Sequence, residues 1–365
     1  MVTDVPHGLP SPVRSALPGH VAVTGAAGVL GTHLVNRLLA VGSQVRAFDL
    51  APVPTSPGLK PFTGDIRDAD ALAEAFAGAD AVVHCASALP SYPVADIRSI
   101  VVEGTTTVLE AARAAAVPRV LHISSTAVYG LPRLVPTPED HALEPVDPYS
   151  SAKAEAEKAV ERFRAEGMCL PVLRPKTFLG PGRMGLFDML FQWAEEGRNF
   201  PVLGKGDVRI QMLGLDDLVD AVLEVLRAPD EVACDTYNIG AAEFGTLRED
   251  FQCVLDTAGH GKRVVSTPSA PAVAVLRVLE RTKLSPVYGR LVSKLLADSY
   301  VSVDKAREKL GFRPRLSNQD AILHTYDWWR TQRATAAGVP AGRGSGRTSR
   351  EPWRQGVLGL AKVFF

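Results

Sequence analysis

Three side chains near the middle of the chain are suited to moving a proton. Tyr149 and Lys153 lie four residues apart in a segment with helical periodicity, so both project from one helix face. An ammonium group beside a phenol favours the phenolate and lowers the tyrosine pKa from about 10 toward neutral pH. Such a tyrosine exchanges a proton with a secondary alcohol while hydride moves to or from a nicotinamide ring. Ser125, just beyond a predicted strand, is expected to hydrogen-bond the same substrate oxygen.

A glycine-rich turn gives the second chemical signal. The run TGAAGVLG directly follows the first predicted strand and opens the first predicted helix. Gly25 permits the tight turn, Gly28 lets the backbone approach a pyrophosphate, and Gly31 allows close packing of helix and strand. The amides of the first helical turn, which includes Val29 and Leu30, carry the partial positive charge that binds phosphate. This context predicts a dinucleotide site.

Two acidic positions indicate how the adenosine half is recognised. Asp49 ends the second predicted strand, 18 residues after Gly31, where a carboxylate accepts hydrogen bonds from the ribose and repels a 2′-phosphate. The sequence therefore predicts NAD rather than NADP, with Arg46 as the one nearby cation that would permit NADP. In the run GDIRD, we expect Asp65 to meet the adenine amine and Ile66 to cover the ring.

The elements that must position these residues alternate regularly along the chain. Short apolar runs predict buried parallel strands at 20–24, 44–49, 81–84, 120–124 and 170–174. Segments with helical spacing lie between them, at 31–41, 70–76, 102–116 and 149–165. Repeated strand–helix–strand units form a parallel sheet with right-handed crossovers. The predicted fold class is α/β: a Rossmann-type doubly wound parallel sheet with a smaller, mainly helical substrate lobe.

The same pattern predicts a division of the chain into five parts. These are a mobile Pro-rich leader (1–18), an NAD-binding Rossmann domain (19–182) to which the chain returns near 213–240, a substrate lobe (183–330), a Gly-, Ser- and Arg-rich linker (331–350) and an amphipathic C-terminal segment (351–365). We expect the last segment to dock on the body or on a partner, or to make weak contact with a membrane surface.

Composition excludes several functions. The 365 residues include 40 basic and 40 acidic side chains, and a formal charge of zero argues against nucleic-acid binding. The four cysteines are scattered, which predicts neither a metal site nor a disulfide framework. Because no run of ~18 apolar residues occurs, no transmembrane segment is expected. These features predict a cytoplasmic protein.

Taken together, the motifs resemble the extended short-chain dehydrogenase/reductase family, specifically its NAD-dependent epimerase/dehydratase group. The resemblance covers most of residues 20–330 and rests on TGAAGVLG, GDIRD, HCAS, EGTTTVLEA, SSTAVYG, YSSAK and LRPKTFLGPG, with LDDLVDAV, YNIG and KLGFRP later in the chain. It implies that Tyr149 is the catalytic acid/base and that Lys153 binds the nicotinamide ribose and tunes Tyr149. It also implies that Ser125 orients the substrate.

The resemblance implies further contacts. Backbone contacts with the cofactor are expected from His84, Ala86 and Ser87, and Pro175 is expected near the carboxamide. Substrate contacts are expected from Ser125, Thr126, Thr177, Arg183 and Arg209. The usual assembly of such proteins implies a homodimer that pairs the helices 102–116 and 149–165.

Departures from the family pattern limit the choice of reaction. Dehydratases carry an Asp-Glu pair where this chain has Thr126 and Ala127, which argues against a 4,6-dehydratase. Nucleotide-sugar epimerases usually place an Asn, which contacts the diphosphate, where this chain has Thr177. The Arg that usually precedes the lobe-return Asp falls at Ile210, with Arg209 one position away.

Three hypotheses follow. The leading one is an NAD-dependent epimerase of a nucleotide-linked sugar, acting through a transient keto intermediate, and cations near the lobe's mouth suit its diphosphate: Arg183, Arg198, Lys205 and Arg209. The alternative is an NAD(H)-dependent dehydrogenase or ketoreductase of a bulky hydrophobic or natural-product alcohol, similar to 3β-hydroxysteroid dehydrogenases. The third is a dinucleotide-sensing protein without catalysis.

Overall fold

A seven-stranded parallel sheet forms the centre of the molecule. The computed structural model describes residues 15–183, 187–270, 273 and 295–336. The strands of the sheet are β1 (His20–Thr24), β2 (Gln44–Asp49), β3 (Leu59–Thr63), β4 (Ala81–His84), β5 (Arg119–Ile123), β6 (Val172–Pro175) and β10 (Thr236–Ile239). Their order across the sheet is β10-β6-β5-β4-β1-β2-β3, which confirms the predicted Rossmann-type fold.

Helices cover both faces of this sheet. They are α1 (Val29–Ala40), α2 (Ala69–Phe76), α3 (Val94–Arg98), α4 (Gly104–Ala114), α5 (Pro148–Ala165), α7 (Leu215–Arg227) and α8 (Asp230–Ala233). Buried side chains of α1 and α7 share one core with the sheet, and those of α2, α4 and α5 share the core on its other face. A π-helical turn, Ser99–Glu103, runs directly into α4. Both faces of the sheet are thus apolar, as buried parallel strands require.

The smaller lobe has an aromatic core of its own. Its helices are α6 (Phe187–Glu195), α9 (Leu247–Ala258) and α10 (Asn318–Ala336), and its short parallel strand pairs are β8 (Phe200–Leu203) with β11 (Val264–Thr267) and β7 (Phe178–Leu179) with β9 (Leu213–Gly214). Phe191 packs against Tyr326 and Trp329 with ring centroids 5.1 and 5.8 Å apart. Helix α10 is therefore anchored to α6 by aromatic contacts.

The chain divides less simply than the sequence predicted. After α7 and β10, a second return occurs at Ala306–Leu310, a π-helical turn whose side chains join the core of α1 and α7. Helix α10 continues to Ala336, six residues into the range expected to be a linker. The rest of that linker, the C-terminal segment 351–365 and residues 1–14 of the leader lie outside the described residues.

The end of the leader contacts the body. The backbone amide and the hydroxyl of Ser15 both donate to the carbonyl of Arg227, at 3.0 and 2.7 Å. The hydroxyl of Ser43 donates to the carbonyl of Pro18 at 2.9 Å. No helix in the described ranges is long and apolar enough to cross a membrane.

Candidate active site

The candidate site lies along the carboxyl edge of the central sheet. Strands β1, β4, β5 and β6 end side by side, and each is followed at once by residues expected to bind or react. Ligands of open parallel sheets bind at this edge, where the strand order reverses. The topology therefore brings together segments far apart in sequence.

The glycine turn after β1 has no room for side chains. A Cβ on Gly25 would lie 2.6 Å from the amide nitrogen of Ala86, and Gly25 has a φ of +71°. A Cβ on Gly31 would lie 2.0 Å from the carbonyl oxygen of Gly25. Helix α1 starts directly after Gly28, so its positive end faces the turn. The turn fits the close backbone approach of a dinucleotide's pyrophosphate.

Asp49 lies where the sequence placed it, beside the glycine turn. Its Oδ2 accepts a hydrogen bond from the amide of Ala27 at 2.9 Å, and its Oδ1 accepts one from Ala51 at 2.9 Å. Arg46 points to the end of α2, where its Nη1 lies 3.5 Å from the carbonyl of Glu74. Both oxygens of the carboxylate at the end of β2 are thus held by backbone amides, and its contact with a ribose stays a prediction.

The segment after β3 shows a mixed outcome. The guanidinium of Arg67 hydrogen-bonds Asp65, with Nε 2.9 Å from Oδ1, and this contact lowers the pKa of the Asp65 carboxyl. The side chain of Ile66 is buried against α4, because a Cβ on Gly104 would lie 2.6 Å from its Cδ1. Ile66 is therefore a core residue, and the contact with an adenine ring stays a prediction.

The three residues expected to react lie together. Helix α5 begins with a capping box in which Asp147 accepts from the amide of Ser150 at 2.7 Å. One turn of helix then carries both Tyr149 and Lys153. The hydroxyls of Ser87 and Ser125, which follow β4 and β5, lie close enough to the Tyr149 hydroxyl to lower its pKa. Lys153 is buried, and its Nζ donates to the carbonyl of Ile123 at 2.8 Å.

The charges around the tyrosine differ from the prediction. Burial raises the pKa of Tyr149, and the positive charge that opposes this effect belongs to Arg183. The expectation that Lys153 lowers the tyrosine pKa is not what the structure shows. Burial instead lowers the pKa of Lys153 to about 8, against the attraction of the Glu157 carboxylate. The ammonium group of Lys153 is directed at the end of β5, so its charge acts mainly on the groups at that strand end.

His84 faces the interior rather than the site. Its Nδ1 lies 2.7 Å from Oγ1 of Thr24, and its Nε2 lies 3.1 Å from Oγ1 of Thr105. Burial lowers the pKa of His84 to about 3, so the ring is neutral at physiological pH. The side chain of His84 is thus engaged in the interior, and the backbone contacts of His84, Ala86 and Ser87 with the cofactor stay a prediction.

A buried charged cluster lies beneath these residues, and the sequence analysis missed it. The guanidinium of Arg174 makes an ion pair with Glu157, with Nη2 2.6 Å from Oε2. Glu157 also accepts the hydroxyl of Ser124 at 2.5 Å. Arg174 donates from Nη1 to the hydroxyl of Tyr129 at 2.7 Å. The signal was present, because Tyr149, Lys153 and Glu157 share one helix face at four-residue spacing.

Only some of the residues expected to contact the reacting end of the substrate lie close to Tyr149. Oγ1 of Thr126 donates to the carbonyl of Pro175 at 3.3 Å, and Thr177 is exposed. The guanidinium of Arg183 stacks on the ring of Phe178 at 4.1 Å, and its Nε donates to the Phe178 carbonyl at 3.1 Å. Arg183 thus lies close to Tyr149, while Thr126 is engaged with the end of β6.

At the far end of the smaller lobe, the Arg209 side chain is held by aromatic rings. Arg209 is exposed, and its guanidinium lies 4.8 Å from the Phe244 centroid and 5.5 Å from the Tyr300 centroid. Ile210, at the position of the usual Arg, packs instead against the lobe's aromatic core. Arg198 pairs with Glu196 at 3.2 Å. Within the described ranges, no three His, Cys, Asp or Glu side chains form a metal site.

Comparison with known proteins decides the family. A model described as the NAD dependent epimerase/dehydratase family matches residues 21–240. The chain belongs to this family. It is an NAD-dependent enzyme of the extended short-chain dehydrogenase/reductase type, acting as an oxidoreductase or epimerase, and the predicted cofactor NAD is confirmed.

Individual relatives in the family differ in activity. Protein y4nG of Sinorhizobium fredii is 34% identical over 93% of this chain and 84% of its own. A 3 beta-hydroxysteroid dehydrogenase/Delta 5→4-isomerase of Mycobacterium tuberculosis is 30% identical over 85% of this chain and 90% of its own. The solved structure of MoeE5 in complex with UDP-glucuronic acid and NAD has a TM-score of 0.70 at 25% identity, covering 86% of this chain and 100% of that one.

Proposed function

We propose that this family member is an NAD(H)-dependent dehydrogenase or ketoreductase of a bulky, largely apolar secondary alcohol. This is the second of the hypotheses that the sequence raised. The observation that carries it is Ile210, a partly buried apolar side chain that packs against the lobe's core at the position where nucleotide-sugar epimerases usually have Arg.

The positions expected to bind a diphosphate support this choice, because their side chains either lack a suitable group or are already engaged. A diphosphate is bound best by guanidinium groups free to make paired hydrogen bonds. Ile210 has no such group, and Thr177 lacks the amide of the usual Asn. The neighbouring Arg209 is already stacked between two rings, with Nη2 3.3 Å from the carbonyl of Phe244. The relative that acts on a 3β-hydroxysteroid, at 30% identity, agrees with an apolar substrate.

The residues of α5 and β5 would carry out the proton step. Bound NAD supplies the hydride acceptor. Tyr149 would take the carbinol proton, Ser125 would hold the same oxygen, and Lys153 would hold the nicotinamide ribose. Because burial raises the pKa of Tyr149, the phenolate fraction at neutral pH is small and grows with pH. Alcohol oxidation is therefore expected to speed up as pH rises, and ketone reduction to slow down.

A nucleotide-sugar epimerase is the second candidate, and two observations favour it. MoeE5, which was solved with UDP-glucuronic acid and NAD, covers 86% of this chain. The cation Arg183 lies close enough to Tyr149 to act on its pKa, so it would lie beside the reacting end of a bound sugar.

Cofactor exchange separates the two candidates. A dehydrogenase must release NADH at each turnover, whereas an epimerase returns the hydride and keeps its NAD. The test is to denature the dialysed protein and measure released NAD. In parallel, NADH formation is followed with 3β-hydroxysteroids and polyketide alcohols, and epimerisation with UDP-glucose and UDP-glucuronic acid. Reversible NAD binding with net NADH formation on an apolar alcohol is expected. Stoichiometric retained NAD with epimerisation of a UDP-sugar would overturn the proposal.

A further inference from the structure

We propose that Glu157 is a positioning residue for the reaction: its carboxylate, clamped between Arg174 and Ser124, keeps Lys153 protonated and fixes the strand end that carries Ser125. The residue contacts neither cofactor nor substrate in this scheme. It acts through two of its neighbours, and the argument depends on the cofactor site alone, so it holds for either candidate reaction.

The geometric half of the proposal lies in the contacts between α5 and β5. Lys153 donates to the carbonyl of Ile123 at 2.8 Å, and four residues later Glu157 accepts the hydroxyl of Ser124 at 2.5 Å. Two successive residues of the strand end are therefore bound to two successive turns of α5. The next residue is Ser125, whose hydroxyl meets Tyr149. These two contacts hold the end of β5 against α5 and so set the distance between Ser125 and Tyr149.

The ion pair of Glu157 with Arg174 connects a third segment, the end of β6, to α5 and β5. Arg174 contacts both carboxylate oxygens of Glu157, with Nε 3.0 Å from Oε1 and Nη2 2.6 Å from Oε2. Arg174 immediately precedes Pro175 at the end of β6, which is expected near the nicotinamide carboxamide. One buried carboxylate thus joins the ends of β5 and β6 to α5. A buried pair of this kind contributes more to a unique arrangement than to net stability.

The electrostatic half concerns the groups that face Lys153. These are His84 and Cys85 at the end of β4, His122 in β5, and Glu157 on α5. Burial lowers the pKa of both histidines and raises the pKa of Cys85 to about 12, so all three are neutral at physiological pH. Glu157 therefore supplies the negative charge that holds the proton on the buried lysine.

The test measures NADH affinity against pH by NADH fluorescence, because the ammonium form of Lys153 is the better donor to ribose hydroxyls. For the wild type we expect affinity to fall with a midpoint near pH 8, the lysine's pKa. In Glu157→Gln the midpoint should move down by about one pH unit, since an opposite charge nearby is worth at least that much. At pH 8 this shift corresponds to a loss of affinity of about fivefold, and of about tenfold at higher pH.

A matched control separates this role from simple structural damage. Ser124→Ala removes only the hydrogen bond and leaves Glu157 paired with Arg174. It should keep the wild-type midpoint, whatever stability it loses. If Glu157→Gln fails to fold, the double variant Glu157→Gln/Arg174→Gln, which removes both partners of the ion pair, should show the same lower midpoint. Equal midpoints in all variants, or an equal downward shift in all, would overturn the proposal.

Discussion

The two ends of the site are held by contacts of different kinds. Around α5 the polar groups are buried and joined by short charged contacts, such as the 2.6 Å pair of Arg174 with Glu157. Around Arg209 the side chain is exposed and held mainly by the faces of Phe244 and Tyr300. Breaking a buried pair costs about 3–5 kcal/mol, whereas an exposed cation–π contact contributes about 0.5–1 kcal/mol. The contacts around α5 are thus held far more strongly than those around Arg209.

The largest effect is expected from Tyr149→Phe, which removes the reacting group from the buried end. Without the hydroxyl no proton is exchanged, and turnover should fall by about 10²–10⁴-fold. NADH affinity and thermal unfolding should stay close to the wild type, because the ring itself is kept. Assays on the substrate found by the alcohol and sugar panels measure this. Turnover within tenfold of the wild type would show that the buried end does not carry the proton step.

The next effect concerns the glycine turn. In Gly31→Ala the new Cβ would lie 2.0 Å from the carbonyl of Gly25, so the turn must move and NADH affinity should fall by about tenfold or more. Gly167→Ala is the control, since its φ of +96° is strained for Ala but nothing lies within 4 Å of the new Cβ. It should lose about 1 kcal/mol of stability and no NADH affinity. Equal affinity loss in both variants would contradict the steric explanation.

A third prediction tests whether the buried His84 ring is neutral in the folded protein. His84 has a folded-state pKa of about 3 against 6.5 when exposed, so only the unfolded chain takes up its proton between these values. Stability is therefore present above pH 6.5 and is lost as pH falls toward 3, by up to about 1.4 kcal/mol per pH unit. Urea unfolding of wild type and His84→Asn from pH 7 to 4 should give a smaller slope in the variant. Parallel slopes would mean that His84 is protonated in the fold.

The smallest effect is expected at the exposed end. Arg209→Ala should change the free energy of unfolding by less than about 1 kcal/mol and leave KM for an apolar alcohol within about threefold. Steady-state kinetics and thermal unfolding measure both. If KM for a nucleotide sugar instead rises tenfold or more, Arg209 binds a diphosphate. The exposed end of the site would then be as important for function as the buried end.

The sequence predicted the parts of the fold that have strong local signals. The bounds of β1, β2 and β4 were predicted without error, because the buried residues of each strand are apolar or nearly so. Strand β3 was missed, since Leu59–Thr63 contains Lys60 and Pro61 and lies at the sheet edge, where a proline is tolerated. The pairing of β8 with β11 was missed because nothing local joins strands about sixty residues apart.

The candidate site was likewise predicted only where the signal is local in the sequence. Spacing placed Tyr149 and Lys153 on one face of α5, and the structure places both there. It did not reveal the partner of each charge, because Arg183 and Glu157 reach Tyr149 and Lys153 only through tertiary packing. Pair interactions of this kind depend on burial, which a single sequence does not contain.

The double return of the chain has a consequence for engineering. From β9 the chain leaves the smaller lobe for α7 and β10, re-enters it at α9, and leaves again at Ala306–Leu310 before α10. A chimera that took its lobe from a relative would need three separate grafts, joined through two stretches of host core. Each graft would create new seams inside packed interior. Single substitutions along the exposed rim, where Arg209 lies, are the shorter route to a new specificity.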